Sequence, residues 1–397
     1  MIIGGGFGGC EAALRLARAK LPDTRVRLLE PKTYFEYHAA LYRFATGTSP
    51  METCIPYADI FSGKEVDVVR DAAKTIDLKK KSVLGESGSQ YGYDTLILAL
   101  GSSITTFGIE GVANYSFGMK SALEALRIKN HIQDSFDAAT IADIEKKKTL
   151  LHMVITGGGA SGVELAGEIS VFGRKLAHAH GLSKALLQID LIEAEKRLLS
   201  GLPEAVSNAA TKRLRELGVR VLLSQRVCKQ EEGKLFLEHS EISAATVVWT
   251  AGMCGHTMLK NIADLQLDRK GRVEVDEHLQ SRGNPDVYVL GDSASTPQSG
   301  MAQTALYDGW YISEVLRAKQ NNKPEPVYKP PTPVYAVPVG STWAVVLWHS
   351  RIYTGTIGWM LRRMLDLKVF IRLLPFSKAL RAFACGNRVM DESGRRK

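Results

Sequence analysis

Two glycine-rich stretches carry the clearest chemical pattern in this sequence. GGGFGG lies at the beginning of the chain, and VITGGGASGVELAGE occupies residues 154–168. Each stretch follows a short apolar run and precedes residues with helical periodicity, which is the order strand, turn, helix. A turn of this kind brings backbone N–H groups at a helix N-terminus against a phosphate. The pattern therefore predicts two sites for ligands that contain a pyrophosphate.

The first stretch fits the GxGxxG pattern at Gly4, Gly6 and Gly9. The first glycine permits a tight turn, the second lets the backbone approach a pyrophosphate, and the third lets helix and strand pack closely. Glu30 ends the next strand, RVRLLE, 21 residues after Gly9. A carboxylate at that place can accept hydrogen bonds from ribose hydroxyls. We predict dinucleotide binding here, with a purely structural glycine turn as the alternative.

The second stretch repeats the order with Gly157, Gly159 and Gly162, and its second strand, LQIDLIE, ends at Glu193. A carboxylate there accepts from the 2′-OH of NADH and repels the 2′-phosphate of NADPH, although the basic pair at 196–197 weakens this preference. The alternative is a duplicated βαβ unit without a ligand. Two dinucleotide loops in one chain indicate a resident flavin and a visiting nicotinamide.

Two further segments are typical of flavin-contacting strands. YDTLILALGS delivers Gly101 at the end of a buried strand, and NPDVYVLGDSAS delivers Asp292. A carboxylate at that position can bind the ribityl chain of a flavin, and a turn acid at a strand terminus is the alternative. We therefore assign both segments to the first dinucleotide unit.

These assignments predict an α/β protein with two Rossmann-like dinucleotide-binding domains, in the arrangement of glutathione-reductase-like flavoproteins. The FAD-binding domain is discontinuous, over 1–111 and 246–325, and the NADH-binding domain over 112–245 is inserted into it. The segment VVWTAGM, which contains Gly252, marks the return. Residues 326–397 form a C-terminal region with a hairpin and amphipathic helices that associate with a membrane.

Composition and charge narrow the class of protein. At 397 residues the chain is long enough for two or three domains with substantial cores. No apolar run reaches the roughly 18 residues that span a bilayer, so we expect no integral membrane segment. Residues 351–397 hold 11 Lys and Arg against 3 Asp and Glu, whereas the whole chain carries only +9. The basic charge thus belongs to the C-terminal region.

This basic region also has large apolar residues at helical spacing, which favours a helix lying in a membrane surface. The apolar positions are Leu373, Phe376, Leu380 and Phe383. The alternating basic residues are Arg372, Lys378, Arg381 and Arg388. Such a segment binds anionic lipid, and its apolar content argues against nucleic acid. The alternative is that these residues pack on the protein's own core or across a dimer interface.

The five cysteines form no CxxC pair and no metal-ligand spacing, so we predict neither a disulfide framework nor a metal site. Cys10, in the first helix, is interpreted as a small buried residue. Cys254 is the sole candidate for sulfide chemistry. Without a dithiol beside the first helix, a small diffusing acceptor such as a quinone is favoured.

Several stretches together resemble the type II NADH dehydrogenases, single-subunit FAD enzymes that pass electrons from NADH to quinone without pumping protons. The resemblance runs nearly end to end. It rests on GGGFGG, YFEYHAALYRFATG, YDTLILALGS, GGGASGVELAGE, LIEAEKRLL, VYVLGD and AQTALYDG. The resemblance implies non-covalent FAD, NADH as co-substrate, a membrane quinone as acceptor and a homodimer. It also implies peripheral attachment at the cytoplasmic face of a bacterial or archaeal membrane, or the equivalent face in an organelle.

The resemblance also implies roles for four residues. Glu164 lies near the meeting of nicotinamide and flavin, where it can position the nicotinamide or assist quinone protonation; the alternative is a helix N-terminal acid favoured by the helix dipole. Ala302 and Gln303 contact the flavin. In the family pattern AQxAxQxG both glutamines line the quinone site, and this chain has Gln303 at the first position and Tyr307 at the second. A phenol can still donate to a quinone carbonyl, but its shape differs, which leaves the quinone open.

Two other functions stay open at this point. One is a soluble NAD(P)H-dependent flavoprotein reductase with another acceptor, similar to the apoptosis-inducing-factor or ferroptosis-suppressor flavoproteins. The other is a redox-switched flavoprotein that binds partners through its basic C-terminal region.

Overall fold

The computed structural model describes residues 1–386, and its centre is formed by two sheets that are mainly parallel. In the first sheet the short apolar strand at the beginning of the chain lies between two later strands, with which it pairs in parallel. Its strands, in spatial order, are Gln280–Ser281, Asn284–Val289, Leu96–Leu98, Ile2–Ile3, Val26–Leu29 and Val66–Val69.

The second sheet is parallel throughout, with strands in the order Phe117–Gly118, Thr246–Trp249, His152–Thr156, Gln188–Ile192 and Arg220–Leu222. The strand that begins at Thr246 pairs on both sides within this sheet. The chain therefore returns to the first domain after Trp249, and not at 246 as the sequence suggested.

Smaller antiparallel elements complete both domains. Two pairs are Tyr34–Glu36 with Cys54–Pro56 and Ser102–Ile104 with Met253–Gly255. Two three-stranded sheets are Ala73–Asp77, Ser82–Gly85, Gln90–Gly92 and Val227–Glu231, Lys234–Leu237, Glu241–Ser243. The chain leaves the first domain near Ser102–Ile104 and comes back to it near Met253–Gly255, and the pairing of these two strands holds the two connecting segments together.

The helix Phe7–Ala19 packs on the first sheet, and the helix Ala302–Gln320 packs tightly against that helix. A Cβ at Gly309 would lie 2.4 Å from the carbonyl oxygen of Gly8, so glycine is required at this crossing. The other α-helices before residue 320 are Leu41–Phe44, Pro50–Thr53, Tyr57–Ile60, Val112–Tyr115, Ala122–Ile141, Ile144–Leu150, Ala160–Ala179 and Glu204–Glu216. Short 3₁₀ turns occupy His38–Ala40, Lys184–Leu186, Thr257–Asn261 and Gly291–Ser293.

The C-terminal region begins with an irregular segment and then forms the expected hairpin and helices. Its strands are Tyr335–Pro338, Ala344–Trp348 and Arg351–Tyr353, and its helices are Gly355–Leu373 and Phe376–Cys385. Among residues 1–386, no helix is both long enough and apolar enough to cross a membrane. Arg388, one of the basic residues noted in the sequence, lies outside the described residues.

The apolar face of these last helices differs from the one we expected. Leu373 is buried, and Phe383 is half-buried beneath the guanidinium of Arg363, which lies 4.3 Å from its ring centroid. Phe376 and Leu380 are exposed as expected. Spacing alone could not separate the two groups, because the preceding helix covers one side of the last one. That preceding helix continues the exposed apolar face with Ile357, Met360, Met364 and Ile371.

Candidate functional site

The two glycine turns have nearly the same geometry. Gly4 and Gly157 have φ values of +100° and +105°, which favour glycine. A Cβ at Gly9 would lie 2.0 Å from the carbonyl oxygen of Gly4, and one at Gly162 would lie 1.9 Å from that of Gly157. The first glycine of each turn therefore makes the bend, and the third permits close packing, as the sequence predicted.

The middle glycine of each turn faces open space. A Cβ at Gly6 or Gly159 would meet no atom within 4 Å. Both residues immediately precede a helix and act as its N-cap without a side-chain hydrogen bond. The free N–H groups and the positive end of the helix dipole thus border a gap that suits a pyrophosphate. The residues present fit a dinucleotide at both turns.

The acids at the strand ends are held in matching positions. Glu30 accepts a hydrogen bond from the backbone N–H of Gly5 at 2.7 Å, and Glu193 accepts one from Gly158 at 2.5 Å. Each carboxylate also accepts from the N–H two residues further along the chain, at 3.1 Å and 2.8 Å. The loop therefore orients each carboxylate beside its glycine turn, where a ribose would follow a pyrophosphate.

Asp292 lies at the carboxyl edge of the first sheet together with Gly101. The Ser102 hydroxyl donates to Asp292 Oδ2 at 2.6 Å, and the N–H of Gly300 donates to Oδ1 at 3.1 Å. Gly101 has a φ of +76° with no neighbour near a Cβ position. The ammonium of Lys120 lies 3.7 Å from the same carboxylate, a contact that sequence reasoning missed. Ligands of open parallel sheets bind at this edge.

Gly252 and Ala302 lie at two other loop ends near these turns. Gly252 has a φ of +80°. Its neighbour Ala251 contacts the second glycine turn, because a Cβ at Gly157 would lie 2.7 Å from the Ala251 nitrogen. Ala302 is the first residue of the helix that packs on the first glycine helix. Their assignment to NADH and FAD stays a prediction.

The side chains of Gln303 and Tyr307 are both engaged by the irregular segment after their helix. The amide of Gln303 donates to the carbonyl of Val334 at 2.8 Å and accepts from its N–H at 3.2 Å. The Tyr307 hydroxyl accepts from the N–H of Lys329 at 3.3 Å, and its ring centroid lies 5.7 Å from that of Tyr328. Their role in quinone binding stays a prediction, since both polar groups already have partners.

Glu164 lies half-buried in the helix that follows the second glycine turn, and its carboxyl has no hydrogen-bond partner among residues 1–386. Burial raises the pKa of Glu164 to about 8, and the nearby Arg362 guanidinium offsets part of that rise. The carboxyl therefore keeps its proton at neutral pH. A half-buried protonated acid of this kind can deliver a proton to an anionic product.

Arg362 belongs to a buried ionic cluster that the sequence did not reveal. Asp366 accepts from Arg362, from Arg43 at 3.2 Å, from Arg363 at 2.9 Å and from the Tyr37 hydroxyl at 2.5 Å. Burial alone would raise the pKa of Asp366, but the three guanidinium groups hold that pKa below its usual range. In the sequence these charges look like an exposed helix face, since Arg and Asp at i and i+4 commonly pair at surfaces.

Cys10 has the environment of a structural residue. Its side chain is fully buried, and its thiol donates to the carbonyl of Gly5 at 3.1 Å. Burial raises the pKa of the Cys10 thiol well above its ordinary value, so the reactive thiolate is disfavoured.

Comparison with known proteins identifies relatives over most of the chain. The family described as pyridine nucleotide-disulphide oxidoreductase matches residues 1–309. The type II NADH:quinone oxidoreductase Ndh of Mycobacterium tuberculosis is 32% identical, over 80% of this chain and 72% of its own length. The type II NADH:quinone oxidoreductase NdhA of the same organism is 30% identical, over 92% and 82% respectively.

A solved structure shows the same fold. NDH2 from Plasmodium falciparum, in complex with NADH, superimposes with a TM-score of 0.87 at 18% identity, covering 97% of this chain and 96% of that one. The hairpin and the two last helices are therefore part of the shared architecture.

Proposed function

The chain belongs to the type II NADH:quinone oxidoreductases of the pyridine nucleotide-disulphide oxidoreductase family, and we propose which of its residues act in each step of the reaction. It is an FAD enzyme that oxidises NADH and reduces quinone. The observation that carries this function is the duplicated turn, in which the second glycine borders a gap and a strand-end carboxylate stands beside it. One site serves the resident dinucleotide and the other the visiting one.

The residues of the first turn would hold FAD, and those of the second would hold NADH. Gly6 lets the FAD pyrophosphate approach the helix N-terminus, and Glu30 accepts from the ribose. Gly159 and Glu193 do the same for NADH, and the charge of Glu193 disfavours a 2′-phosphate. FAD, when bound, accepts a hydride from NADH and gives two electrons to the acceptor.

Glu164 would supply a proton during quinone reduction. It follows the NADH turn on a helix whose start faces the gap, and its raised pKa keeps the carboxyl protonated at neutral pH. Gln303 would orient the acceptor from the helix that begins beside the first sheet, after release of its bonds to Val334. Tyr307 is assigned to the same site by its place one helical turn further on.

We assign the exposed apolar face of the last two helices to a membrane surface. Met364 and Phe376 are each 64% exposed, which is unusual for side chains of this size. Lys368 and Arg381 are exposed on the same helices and would meet anionic headgroups. Attachment at a cytoplasmic face and assembly as a homodimer stay predictions that the family resemblance implies.

Spectroscopy of the purified protein tests this function directly. We expect the visible absorbance of the bound flavin to bleach anaerobically on addition of NADH and to return on addition of a short-chain quinone. Reoxidation by ferricyanide or a protein acceptor, with none by quinone, would instead favour a soluble reductase with another acceptor.

A further inference from the structure

Lys120 makes a polar contact between the two domains at the place assigned to the flavin. Its ammonium donates to the Ser102 hydroxyl at 2.9 Å and lies 3.7 Å from Asp292 Oδ2. Ser102 and Asp292 follow neighbouring parallel strands of the first sheet. Lys120 follows Phe117–Gly118, an edge strand of the second sheet. One domain thus supplies a cation to a carboxylate of the other.

The environment of this pair strengthens the interaction. The side chains of Lys120 and Asp292 are 29% and 25% exposed, so neither charge is fully solvated. A carboxylate in such a position repels further negative charge nearby, and a cation a few ångströms away offsets that repulsion. Bound dinucleotide would exclude more water from the edge of the sheet, which would strengthen both the repulsion by the carboxylate and its offset by the cation.

The turn that carries Lys120 does not depend on its ammonium. The Lys120 N–H donates to Glu124 at 2.8 Å, and Ser121 caps the following helix by accepting from the Glu124 N–H at 3.2 Å. The N–H of Ala122 donates to Glu36 of the first domain at 3.0 Å. These bonds fix the turn through its backbone, so loss of the ammonium leaves the local fold in place.

We propose that Lys120 is a positioning residue for FAD: it orients the Asp292 carboxylate and offsets its charge, which makes the oxidised flavin easier to reduce. The proposal rests on the function above, in which FAD is resident and Asp292 belongs to its site. Reduction adds negative charge to the isoalloxazine system, and removal of a nearby cation therefore lowers the reduction potential.

Anaerobic titration against a reference dye measures this effect on the flavin spectrum, independently of turnover. In Lys120→Met we expect the ratio of oxidised to reduced flavin to rise at least tenfold at a fixed dye ratio, which is about 30 mV for a two-electron couple. Lys120→Arg keeps the charge and should stay within twofold of wild type. Lys146→Met removes the same charge at an exposed position on the helix Ile144–Leu150, away from this turn, and should change nothing.

FAD retention on dialysis provides the second readout, and Lys120→Gln repeats the test with a polar side chain. Loss of FAD from both neutral variants with an unchanged circular dichroism spectrum, while Lys120→Arg retains it, also supports the proposal. Unchanged potential and unchanged retention in both neutral variants would overturn it. If wild type itself lacked flavin, or if NADH did not bleach it, the proposed function would fail instead.

Discussion

At the scale of single residues, we expect the strand-end carboxylate of the second domain to set nucleotide choice. Glu193 lies beside the glycine turn, and its Oε2 accepts a hydrogen bond from the N–H of Gly158. In Glu193→Gln the repulsion of a 2′-phosphate disappears, while a carbonyl oxygen still accepts. We expect the ratio of kcat/KM for NADH over NADPH to fall by roughly tenfold, or ~1.4 kcal/mol. Glu30→Gln is the control, since it should affect FAD retention and not this ratio. Equal use of both nucleotides by wild type contradicts the assignment.

Glu164 predicts a pH dependence that is confined to one half of the reaction. Because its pKa is raised to about 8, the carboxyl is protonated below that pH and loses its proton above it. Reoxidation of flavin by quinone should therefore slow as pH rises through about 8, whereas reduction by NADH should not. Stopped-flow spectra resolve the two steps, and they should be recorded from about 2 pH units below the pKa of Glu164 to about 1.5 units above it.

The matched control for this experiment is one helical turn away. Glu168 is half-buried in the same helix, and burial raises its pKa as well. Glu164→Gln should remove the descending limb near pH 8, and Glu168→Gln should retain it. If both variants lost the limb, or neither did, the proton would come from another group.

The glycines and acids of the site could be predicted from sequence because their pattern is local: turn, gap and strand end follow one another within a single βαβ unit of about 30 residues. The ionic cluster around Asp366 could not. Its members come from two distant parts of the chain, residues 37–43 and 362–366, and the three in the second part form a charged run that suits a solvated helix face equally well. Lys120 was missed for the same reason, since its partners lie in the other domain.

At the scale of elements, the helix Ala302–Gln320 is held at its first turns by the segment that follows it. Gln303→Ala removes both hydrogen bonds to Val334, which costs about 2 kcal/mol of unfolding free energy at about 1 kcal/mol each. Tyr307→Phe removes only the bond to Lys329 and keeps the ring packing. We expect both variants to slow reoxidation by quinone and to leave reduction by NADH nearly unchanged, as measured by stopped flow.

A substitution at the other end of the same helix provides the control. Gln320 is exposed, so Gln320→Ala should change neither half-reaction. Slower reduction by NADH in Gln303→Ala would place this turn on the nicotinamide side. The helix itself was predictable from AQTALYDG, but its hydrogen bonds to the irregular segment after it were not, because that segment has no periodic pattern of its own.

At the scale of the whole molecule, the exposed apolar face predicts binding to lipid. Each large apolar side chain buried in the acyl region contributes about 1.5–3 kcal/mol, so Met364→Glu with Phe376→Glu should weaken binding to anionic vesicles by at least about a hundredfold. Co-sedimentation measures this, and activity with a short-chain quinone should persist. Ile141→Glu is the matched control, since Ile141 is 91% exposed on another helix. Unchanged vesicle binding by the double variant would remove the membrane role.

The helix that carries this face cannot be treated as a removable anchor. On its opposite side Phe370 is fully buried, and Arg363 pairs with Glu52 in the interior. A deletion from Gly355 onward would expose that core and leave Glu52 and Arg43 without Asp366 and Arg363. Point substitutions on the exposed side are therefore the appropriate test. Sequence periodicity alone did not reveal that this helix has apolar residues on an exposed side and both apolar and charged residues on a buried side.

The bond from Tyr37 to Asp366 has a mechanical consequence. The ring of Tyr37 lies 5.7 Å from that of Phe7, which begins the helix after the first glycine turn. Direct contacts therefore connect the first glycine turn to the helix with the exposed apolar face. Given the bilayer contact proposed for that face, we expect the protein to set the height of the proposed flavin site above the lipid plane. We then expect the substrates to move to that site: the quinone headgroup leaves the acyl region while its tail stays in it, and NADH arrives from water.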